Sequence, residues 1–257
     1  MTPIQVLKIG GNIIDDSTAL EQFLEDFSHA ETPGILVHGG GRKASEISRR
    51  LGIQPKMFEG RRITDAASLE VVTMVYGGLI NKNIVANLQS KGTNALGLSG
   101  ADLNIIPATK RKTAEVDYGF VGDIDPAAIG ADQLEWLLDK GITPVICALS
   151  HDGQGSLLNT NADTMAAGIA RALTRKRPTE LHLCFEKHGV LSDMNDDNSV
   201  IPELGKSQFL KMKAEGLVYE GMIPKLENAF AAAASGVDVI IRHALDQKTG
   251  TRLHINE

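Results

Sequence analysis

The chain has 257 residues, of which 42% are hydrophobic, and this is enough for a substantial core in one large α/β domain or in two lobes in close contact. A formal net charge of -6, without a Lys/Arg-rich tail, argues against a broad nucleic-acid surface. No basic n-region, long apolar segment or small-residue cleavage site opens the chain, so we expect neither export nor membrane insertion and place the protein in the cytoplasm.

The cysteines and histidines argue against a metal centre. Cys147 and Cys184 lie in apolar stretches without CxxC spacing, which predicts buried free thiols and suits a reducing cytoplasm. The histidines form no HxxxH or HExxH arrangement. We therefore assign no metal ligands.

The first part of the chain reads as two successive β-then-α units. Residues 4–9 form a largely apolar run typical of a buried strand, and apolar positions at helical spacing follow over residues 20–27. Residues 35–37 predict a second strand, and the next predicted helix ends at Gly52. The chain therefore opens as an α/β protein.

The remainder continues this alternation. A long predicted helix covers residues 68–90 and contains Gly77-Gly78, a pair that permits either close packing at a dimer contact or a kink. Further buried strands are predicted at residues 95–98, 142–149 and 181–185. Alternation of this kind predicts a largely parallel sheet covered by helices on both faces. Residues 105–121 differ, since short apolar pairs there predict hairpins at the rim of the sheet.

Two glycine clusters lie where a strand is predicted to end and a helix to begin. Lys8-Ile9-Gly10-Gly11 follows the first strand, and His38-Gly39-Gly40-Gly41 follows the second. Glycine lets backbone N–H groups approach an anion closely, a helix N-terminus adds roughly half a positive charge, and Lys8 adds a full one. The clusters therefore predict a nucleotide or phosphoryl site.

Two later segments have both a structural and a functional interpretation, and the residues alone leave both open. Asn161 is placed to cap a helix with Asp163 in its first turn. Alternatively, Asn159 and Asn161 serve one pocket, and Asp163 positions a lysine. Lys225 begins a helical stretch, either as a solvated lysine or as part of a site.

Six motifs carry a resemblance that covers nearly the entire chain. They are Lys8-x-Gly10-Gly11, His38-Gly39-Gly40-Gly41, Gly60-Arg61-Arg62-Ile63-Thr64, Gly97-Leu98-Ser99-Gly100, Asn159-x-Asn161-Ala162-Asp163 and Gly221-Met222-x-x-Lys225. In this order they closely resemble the acetylglutamate kinases of the amino acid kinase family. Each string is common, whereas six of them in sequence are highly specific.

The resemblance implies an α/β fold that forms an open, mainly parallel three-layer αβα sandwich. Residues 1–174 would form an N-terminal lobe for acylglutamate binding and dimerisation, and residues 175–257 would form a C-terminal lobe for ATP. The boundary is placed at the polar segment Arg175-Lys176-Arg177-Pro178, whose proline should end the preceding helix. The implied reaction, a step of arginine biosynthesis, transfers the γ-phosphoryl group of ATP to the side-chain carboxylate of an N-acylated L-glutamate.

The resemblance also implies roles for individual residues. The implied catalytic residues are two lysines that neutralise the transferring phosphoryl group and the carboxylate that holds both, namely Lys8, Lys225 and Asp163. The implied substrate-binding residues are Gly40, Gly41, Arg62, Asn159 and Asn161. The implied ATP contacts are Gly10, Gly11, Glu186 and Gly189. Mg2+ is expected to arrive with ATP, since the family has no dedicated protein cage for it.

Two features depart from the family pattern. Where many members have Thr-Asp-Val-x-Gly-Val, this chain has Phe185-Glu186-Lys187-His188-Gly189-Val190, which leaves the adenine and ribose contacts open. Members inhibited by arginine carry an extra N-terminal helix, whereas this chain enters its first strand by Ile4. The resemblance therefore implies a homodimer without arginine feedback.

Three alternatives stay open. The acyl group is acetyl by family default, or succinyl as in a related arginine pathway. Another reaction of the amino acid kinase family is compatible with the same motifs, as is a non-catalytic amino-acid or nucleotide sensor on the same fold. The intact set of Lys8, Asp163 and Lys225 argues against the sensor, because binding alone does not require two converging lysines and their organiser.

Overall fold

The computed structural model describes residues 2–58, 61–113, 115–193, 195–218, 220–246 and 248–255. Gly60, which begins one of the six motifs, lies outside the described residues, as do the outermost residues of the two predicted lobes, Met1 and Glu257. The strands are β1 Ile4–Ile9, β2 Gly34–His38, β3 Lys56–Phe58, β4 Arg61–Ile63, β5 Ala95–Leu98, β6 Ala108–Lys110, β7 Gly122–Ile124, β8 Thr143–Cys147, β9 Leu149–His151, β10 Leu157–Asn159, β11 Thr179–Phe185, β12 Glu203–Gly205, β13 Asp238–His243 and β14 Thr251–His254. The helices are α1 Gly11–Asp15, α2 Ser17–Ser28, α3 Gly41–Arg50, α4 Ala66–Val72, α5 Asn81–Ser90, α6 Ala131–Asp139, α7 Ala162–Leu173, α8 Lys206–Ala214 and α9 Ile223–Ala233, with a π-helix at Thr73–Ile80 between α4 and α5.

In the described part of the chain, eight strands form one sheet in the order β12-β14-β13-β11-β1-β2-β8-β5. Neighbouring strands are parallel, except for the antiparallel pair β13 and β14. Lys8 in β1 pairs with Leu183 in β11 on one side and with Val37 in β2 on the other. The carboxyl ends of these three strands therefore meet at one edge, where ligands bind in open α/β sheets.

Both faces of the sheet are covered because its central strands are buried on both sides. Val6 belongs to a core that packs against α6, α7 and α9, whereas Leu7 and Ile9 belong to a second core against α2 and α5. Alternate residues of a strand point to opposite faces, so a strand between two helical layers reads as one apolar run. The predicted open, mainly parallel three-layer αβα sandwich is confirmed.

The strands of residues 1–174 and of residues 175–257 occupy different halves of the main sheet. The first half contains β5, β8, β2 and β1, and the second contains β11, β13, β14 and β12. The halves meet where β1 pairs with β11. Helix α7 belongs to the first segment but also packs against β11 and α9, so it spans the junction.

Small antiparallel hairpins surround the sheet, formed by β3 with β4, β6 with β7 and β9 with β10. Isolated bridges tie them together at Thr64 with Gly119 and at Val121 with Asn159. The hairpin predicted within residues 105–121 begins there as β6, and its partner β7 lies just beyond that segment. The bridges bring Arg62 on β4 and Asn159 on β10 into one assembly.

The predicted helix over residues 68–90 is present, but its winding changes in the middle, where α4 passes into the π-helix and α5 follows. A Cβ at Gly77 would lie 3.7 Å from Cδ1 of Leu149, whereas a Cβ at Gly78 would meet no atom within 4 Å. The glycine pair thus lies within a π-helical segment, a wider helical winding that is often found at functional sites. None of the described helices has both the length and the apolar character needed to cross a membrane.

Candidate active site

Lys8 and Asp163 form a buried ion pair at the carboxyl edge of the sheet. Lys8 lies near the end of β1, and Asp163 lies in the first turn of α7. Nζ of Lys8 is 2.7 Å from Oδ1 of Asp163, and the two side chains are only 8% and 9% exposed. A buried charge is costly without a partner, and here each group provides one for the other.

Asn161 sets the start of the helix that carries Asp163. Its Oδ1 accepts a hydrogen bond from the backbone N–H of Thr164 at 3.0 Å, which satisfies one of the free donors at the helix N-terminus. The capping interpretation of Asn161 is thus confirmed. Its contact with a substrate stays a prediction.

Lys225 reaches the same place from the other half of the sheet. It lies in the first turn of α9, and its Nζ is 4.2 Å from the ring centroid of Phe185, the last residue of β11. Nζ of Lys8 is 5.2 Å from the same ring. Both ammonium groups therefore face the π-electrons of one aromatic side chain, an attractive contact for a cation.

The electrostatics of Lys225 show how closely the charges are grouped. Burial is the main cause that lowers the pKa of Lys225; the carboxylates of Asp163 and Glu186 act against this, and the charge of Lys8 adds to it. Lys225 is thus part of a charged cluster and not a freely solvated lysine. In the sequence, Phe185 was noted only as the end of a buried strand and the first residue of the stretch that departs from the family pattern, and its contact with the two lysines was not predicted.

The glycine loop, defined as Gly39 to Gly41, leads from β2 into α3 with a backbone that requires glycine. The φ angle of Gly40 is 153°, and a Cβ there would lie 2.3 Å from Cδ1 of Ile80. A Cβ at Gly39 would lie 3.5 Å from Cβ of Ala162, so the loop rests against the start of α7. Gly40 is the N-cap of α3 and has no side chain to occupy the first N–H groups, which stay available for an anion.

A buried histidine holds the beginning of this loop. Nδ1 of His38 donates to the Gly39 carbonyl at 2.9 Å, and its Nε2 accepts from Nδ2 of Asn81 at 3.1 Å. The Asn81 amide also donates to the Val145 carbonyl at 2.9 Å. Burial lowers the pKa of His38 to about 4, so the imidazole is neutral at pH 7. Sequence reasoning missed this pair because its members are 43 residues apart and no local pattern joins them.

Arg62 lies beside the glycine loop, and Asn159 is tied to the same hairpin assembly through Thr64. Nη2 of Arg62 donates to the Gly41 carbonyl at 2.9 Å and to Oγ of Ser45 at 2.5 Å. Nδ2 of Asn159 donates to Oγ1 of Thr64 at 3.0 Å. The structure thus gathers the residues predicted to hold a substrate carboxylate, although they are far apart in the chain.

Gly10 lies between β1 and the short helix α1, which begins at Gly11, next to the charged cluster. A Cβ at Gly10 would lie 3.8 Å from Nζ of Lys8. A Cβ at Gly11 would lie 3.8 Å from Cδ of Arg42, in the first turn of α3. Both glycines are therefore placed where the backbone can approach an anion, and Arg42 is a nearby cation that sequence reasoning did not single out.

Glu186 and Gly189, the other two predicted ATP contacts, have different surroundings. Oε2 of Glu186 accepts a hydrogen bond from Nδ2 of Asn12 across the junction of β1 and β11. Gly189 is buried, and a Cβ there would lie 2.6 Å from Oγ1 of Thr251 in β14. Packing alone accounts for a glycine at this position, and its contact with ATP stays a prediction.

Both cysteines are free and buried, as predicted. Burial raises the pKa of Cys147 to about 12, so this thiol is protonated at neutral pH and is a poor nucleophile. Within the described ranges, no group of three or more His, Cys, Asp or Glu side chains is arranged to hold a metal ion.

Comparisons with known proteins agree with the six motifs. A sequence profile of the Amino acid kinase family matches residues 3–243. An acetylglutamate kinase from Bacteroides thetaiotaomicron is 52% identical over 253 residues, which cover 97% of this chain and 98% of that protein. An acetylglutamate kinase from Methanopyrus kandleri is 40% identical over 237 residues, which cover 91% of this chain and 92% of that protein. The crystal structure of smu.665 from Streptococcus mutans superposes with a TM-score of 0.83 at 26% identity, with 100% of both chains covered. On this evidence, the chain belongs to the amino acid kinase family.

Proposed function

We propose that this chain is a kinase that uses ATP to phosphorylate the side-chain carboxylate of an N-acylated L-glutamate, with N-acetyl-L-glutamate as the default substrate. The observation that carries the proposal is the convergence of Lys8, Lys225 and Asp163 beside the Phe185 ring. The acetylglutamate kinases that match nearly the whole chain support the same reaction. The proposed setting is arginine biosynthesis in the cytoplasm.

The chemistry requires cations more than it requires a base. A carboxylate is already an anionic nucleophile at pH 7, so the difficulty lies in bringing two anions together along an in-line path. Lys8 and Lys225 would supply two positive charges where the phosphoryl group passes. Asp163 holds Lys8 at 2.7 Å and offsets the repulsion between the two ammonium groups.

We assign the acylglutamate to the side of the cleft formed by the glycine loop. The N–H groups that follow Gly40 would receive the reacting carboxylate, and Gly41 would line the same pocket. Arg62 has five N–H donors, and its contacts to Gly41 and Ser45 use only Nη2, so other donors are left for the α-carboxylate. Asn159 and Asn161 would complete this side.

We assign ATP to the half of the sheet formed by residues 175–257, where Glu186 and Gly189 would contact it. Its phosphates would reach Gly10 and Gly11 in the half formed by residues 1–174. Mg2+ would be carried by the phosphates, because the Asp163 carboxylate is already paired with Lys8. When bound, the ion would neutralise part of the phosphate charge.

A homodimer without arginine feedback is part of the same proposal. The π-helix leaves Met74 55% exposed and Leu79 44% exposed, and a Cβ at Gly78 would meet no atom within 4 Å. Two apolar side chains beside a bare stretch of helix backbone suit packing against a second copy of this chain. Sedimentation of the purified protein, with and without L-arginine in a parallel activity assay, tests both points.

The reaction is tested by ADP release from MgATP with N-acetyl-L-glutamate, combined with hydroxylamine trapping of the acyl phosphate. Hydroxamate formed in proportion to ADP supports the proposal, and a Lys225→Ala variant purified in the same way controls for a contaminating kinase. ADP release without hydroxamate would instead indicate a different acceptor. Neither product, with either N-acetyl- or N-succinyl-L-glutamate, would favour the non-catalytic sensor.

The acyl group is tested by the ratio of kcat/KM for N-acetyl-L-glutamate and N-succinyl-L-glutamate. The succinyl group adds a second carboxylate, which requires a cationic or amide partner in the pocket. The substrate with the larger value identifies the acyl group for which the pocket is built.

A further inference from the structure

Tyr76 belongs to the π-helix and lies against the glycine loop. Its side chain is only 6% exposed. A Cβ at Gly40 would lie 3.1 Å from Cδ1 and Cε1 of the Tyr76 ring, and a Cβ at Gly41 would lie 3.7 Å from the hydroxyl oxygen. The ring therefore packs on one glycine of the loop, and the hydroxyl extends to the next.

The Tyr76 hydroxyl makes no hydrogen bond to any of the residues that the structure describes. The hydroxyl oxygen is not among the fully buried side-chain atoms that lack a hydrogen bond in the described part of the chain, so it keeps some exposure and is accessible to an acceptor on a ligand. Burial raises the pKa of Tyr76, although Arg62 acts in the opposite direction. The hydroxyl is thus a protonated donor at neutral pH.

The surroundings of this donor indicate which partner it serves. The hydroxyl oxygen lies near Gly41, and the charge of Arg62 acts on its pKa. Gly41 and Arg62 are themselves joined by the hydrogen bond from Nη2 of Arg62 to the Gly41 carbonyl. This is the side of the cleft assigned to the acylglutamate. The π winding contributes directly, because it places both Tyr76 and Ile80 against Gly40.

We propose that the Tyr76 hydroxyl donates a hydrogen bond to an oxygen atom of the bound N-acylglutamate and thereby helps to select this substrate. The inference rests on the proposed function, since the acceptor is the substrate itself. Several oxygen atoms of the substrate share the required chemistry, and the experiment separates those common to both acylglutamates from the additional carboxylate of a succinyl group.

The variant Tyr76→Phe removes the hydroxyl and keeps the ring on Gly40. We expect KM for N-acetyl-L-glutamate to rise about tenfold or more, as for the loss of a hydrogen bond to a charged group. KM for ATP and the Tm of the free protein should stay at the wild-type values. A purely structural role would lower Tm or would change both KM values together.

Tyr118→Phe is the matched control. Tyr118 is also 6% exposed, but its ring contacts Phe58 and Arg111 at the rim and not the glycine loop. We expect no change in either KM for this variant.

The acceptor is identified by measuring the Tyr76→Phe penalty with N-acetyl- and N-succinyl-L-glutamate. An equal penalty with both indicates an oxygen that the two substrates share, in the glutamate carboxylates or the amide carbonyl, and a larger penalty with N-succinyl-L-glutamate indicates the additional carboxylate of its succinyl group. Wild-type turnover with a Tyr76→Phe KM within twofold of the wild-type value overturns this inference alone. Absence of wild-type turnover with both substrates overturns the proposed function together with it.

Discussion

The side of the site that we propose binds the acylglutamate and the side that we propose binds the nucleotide are built in different ways. On the acylglutamate side, Lys8, Arg62 and Asp163 are all buried, and each is held by a protein partner at 2.5–2.9 Å. On the nucleotide side, the residues directly after β11 are exposed. Lys187 forms an ion pair with Asp197 there, and both side chains are exposed to solvent. An exposed ion pair contributes about 0–1 kcal/mol to the stability of the fold.

This difference indicates at which positions an amino-acid substitution is costly and at which positions it is tolerated. A buried charge cannot move away from its partner without a large cost, so the acylglutamate side is preorganised. An exposed residue loses little when it is replaced. The departure from the family pattern begins with the buried Phe185 and continues at Glu186 and Lys187, which are exposed and lie where substitutions are least costly.

The largest expected effect tests the buried side directly. Lys8→Ala should lower kcat by about 100- to 1,000-fold, because a well-aimed donor to the transferring group is lost. The measurement is ADP release at saturating substrate. Lys213→Ala is the control, since Lys213 is a surface residue paired with Glu227 at 2.6 Å. Near-normal activity of the Lys8 variant would contradict its role.

The second prediction concerns the stability of the charged cluster. Asp163→Asn should lower the free energy of unfolding by about 3 kcal/mol, because it leaves the buried Lys8 unpaired and close to Lys225. Lys225→Ala removes a partly desolvated cation and should cost much less. Urea denaturation of both variants measures the difference. If the Asp163 variant is as stable as the Lys225 variant, the carboxylate does not organise the lysines.

The third prediction compares two glycines that contact or belong to the π-helix. Gly40→Ala should cost about 1–3 kcal/mol of stability, since its φ is unfavourable for alanine and its Cβ would meet Ile80 at 2.3 Å. Gly78→Ala has open space and should stabilise the isolated subunit by about 0.5–1 kcal/mol. Thermal unfolding at low protein concentration measures both. Equal effects would show that the glycine loop is less constrained than its contacts indicate.

The smallest effect tests the exposed side through the pH dependence of the reaction. Protonated Lys225 is the active form, so activity is present below its pKa and is lost as pH rises through it. Burial lowers this pKa, whereas Glu186 raises it, so Glu186→Gln should move the alkaline limb of kcat/KM to lower pH. Glu215→Gln, at an exposed position on α8's C-terminal side, is the control. A movement to higher pH would contradict the assigned contact.

Features that depend on neighbouring residues could be predicted from the sequence. The strand of residues 4–9, the glycine junctions and the helix cap at Asn161 are all set by interactions within a few residues along the chain. The resemblance then assigned roles to residues in separate motifs, and the structure gathers Lys8, Asp163 and Lys225 as that assignment requires.

Other parts of the site had no local signal. Phe185 was visible as the end of a buried strand and the start of a departure from the family pattern, and Asn81 looked like a helix residue. Their importance comes from contacts with Lys225 and His38, which are distant in the chain. The π winding that brings Tyr76 to the glycine loop was visible only as a glycine pair inside a helical pattern.

The hydrophobic periodicity, the capping residues and the glycine positions thus determined the α/β alternation and the glycine junctions after β1 and β2, because these depend on short-range sterics and hydrogen bonds. Only the tertiary structure decided that β1 lies beside β11 and that two lysines 217 positions apart share one aromatic ring. Strand order and side-chain burial depend on how whole elements pack, and no stretch of neighbouring residues contains that information.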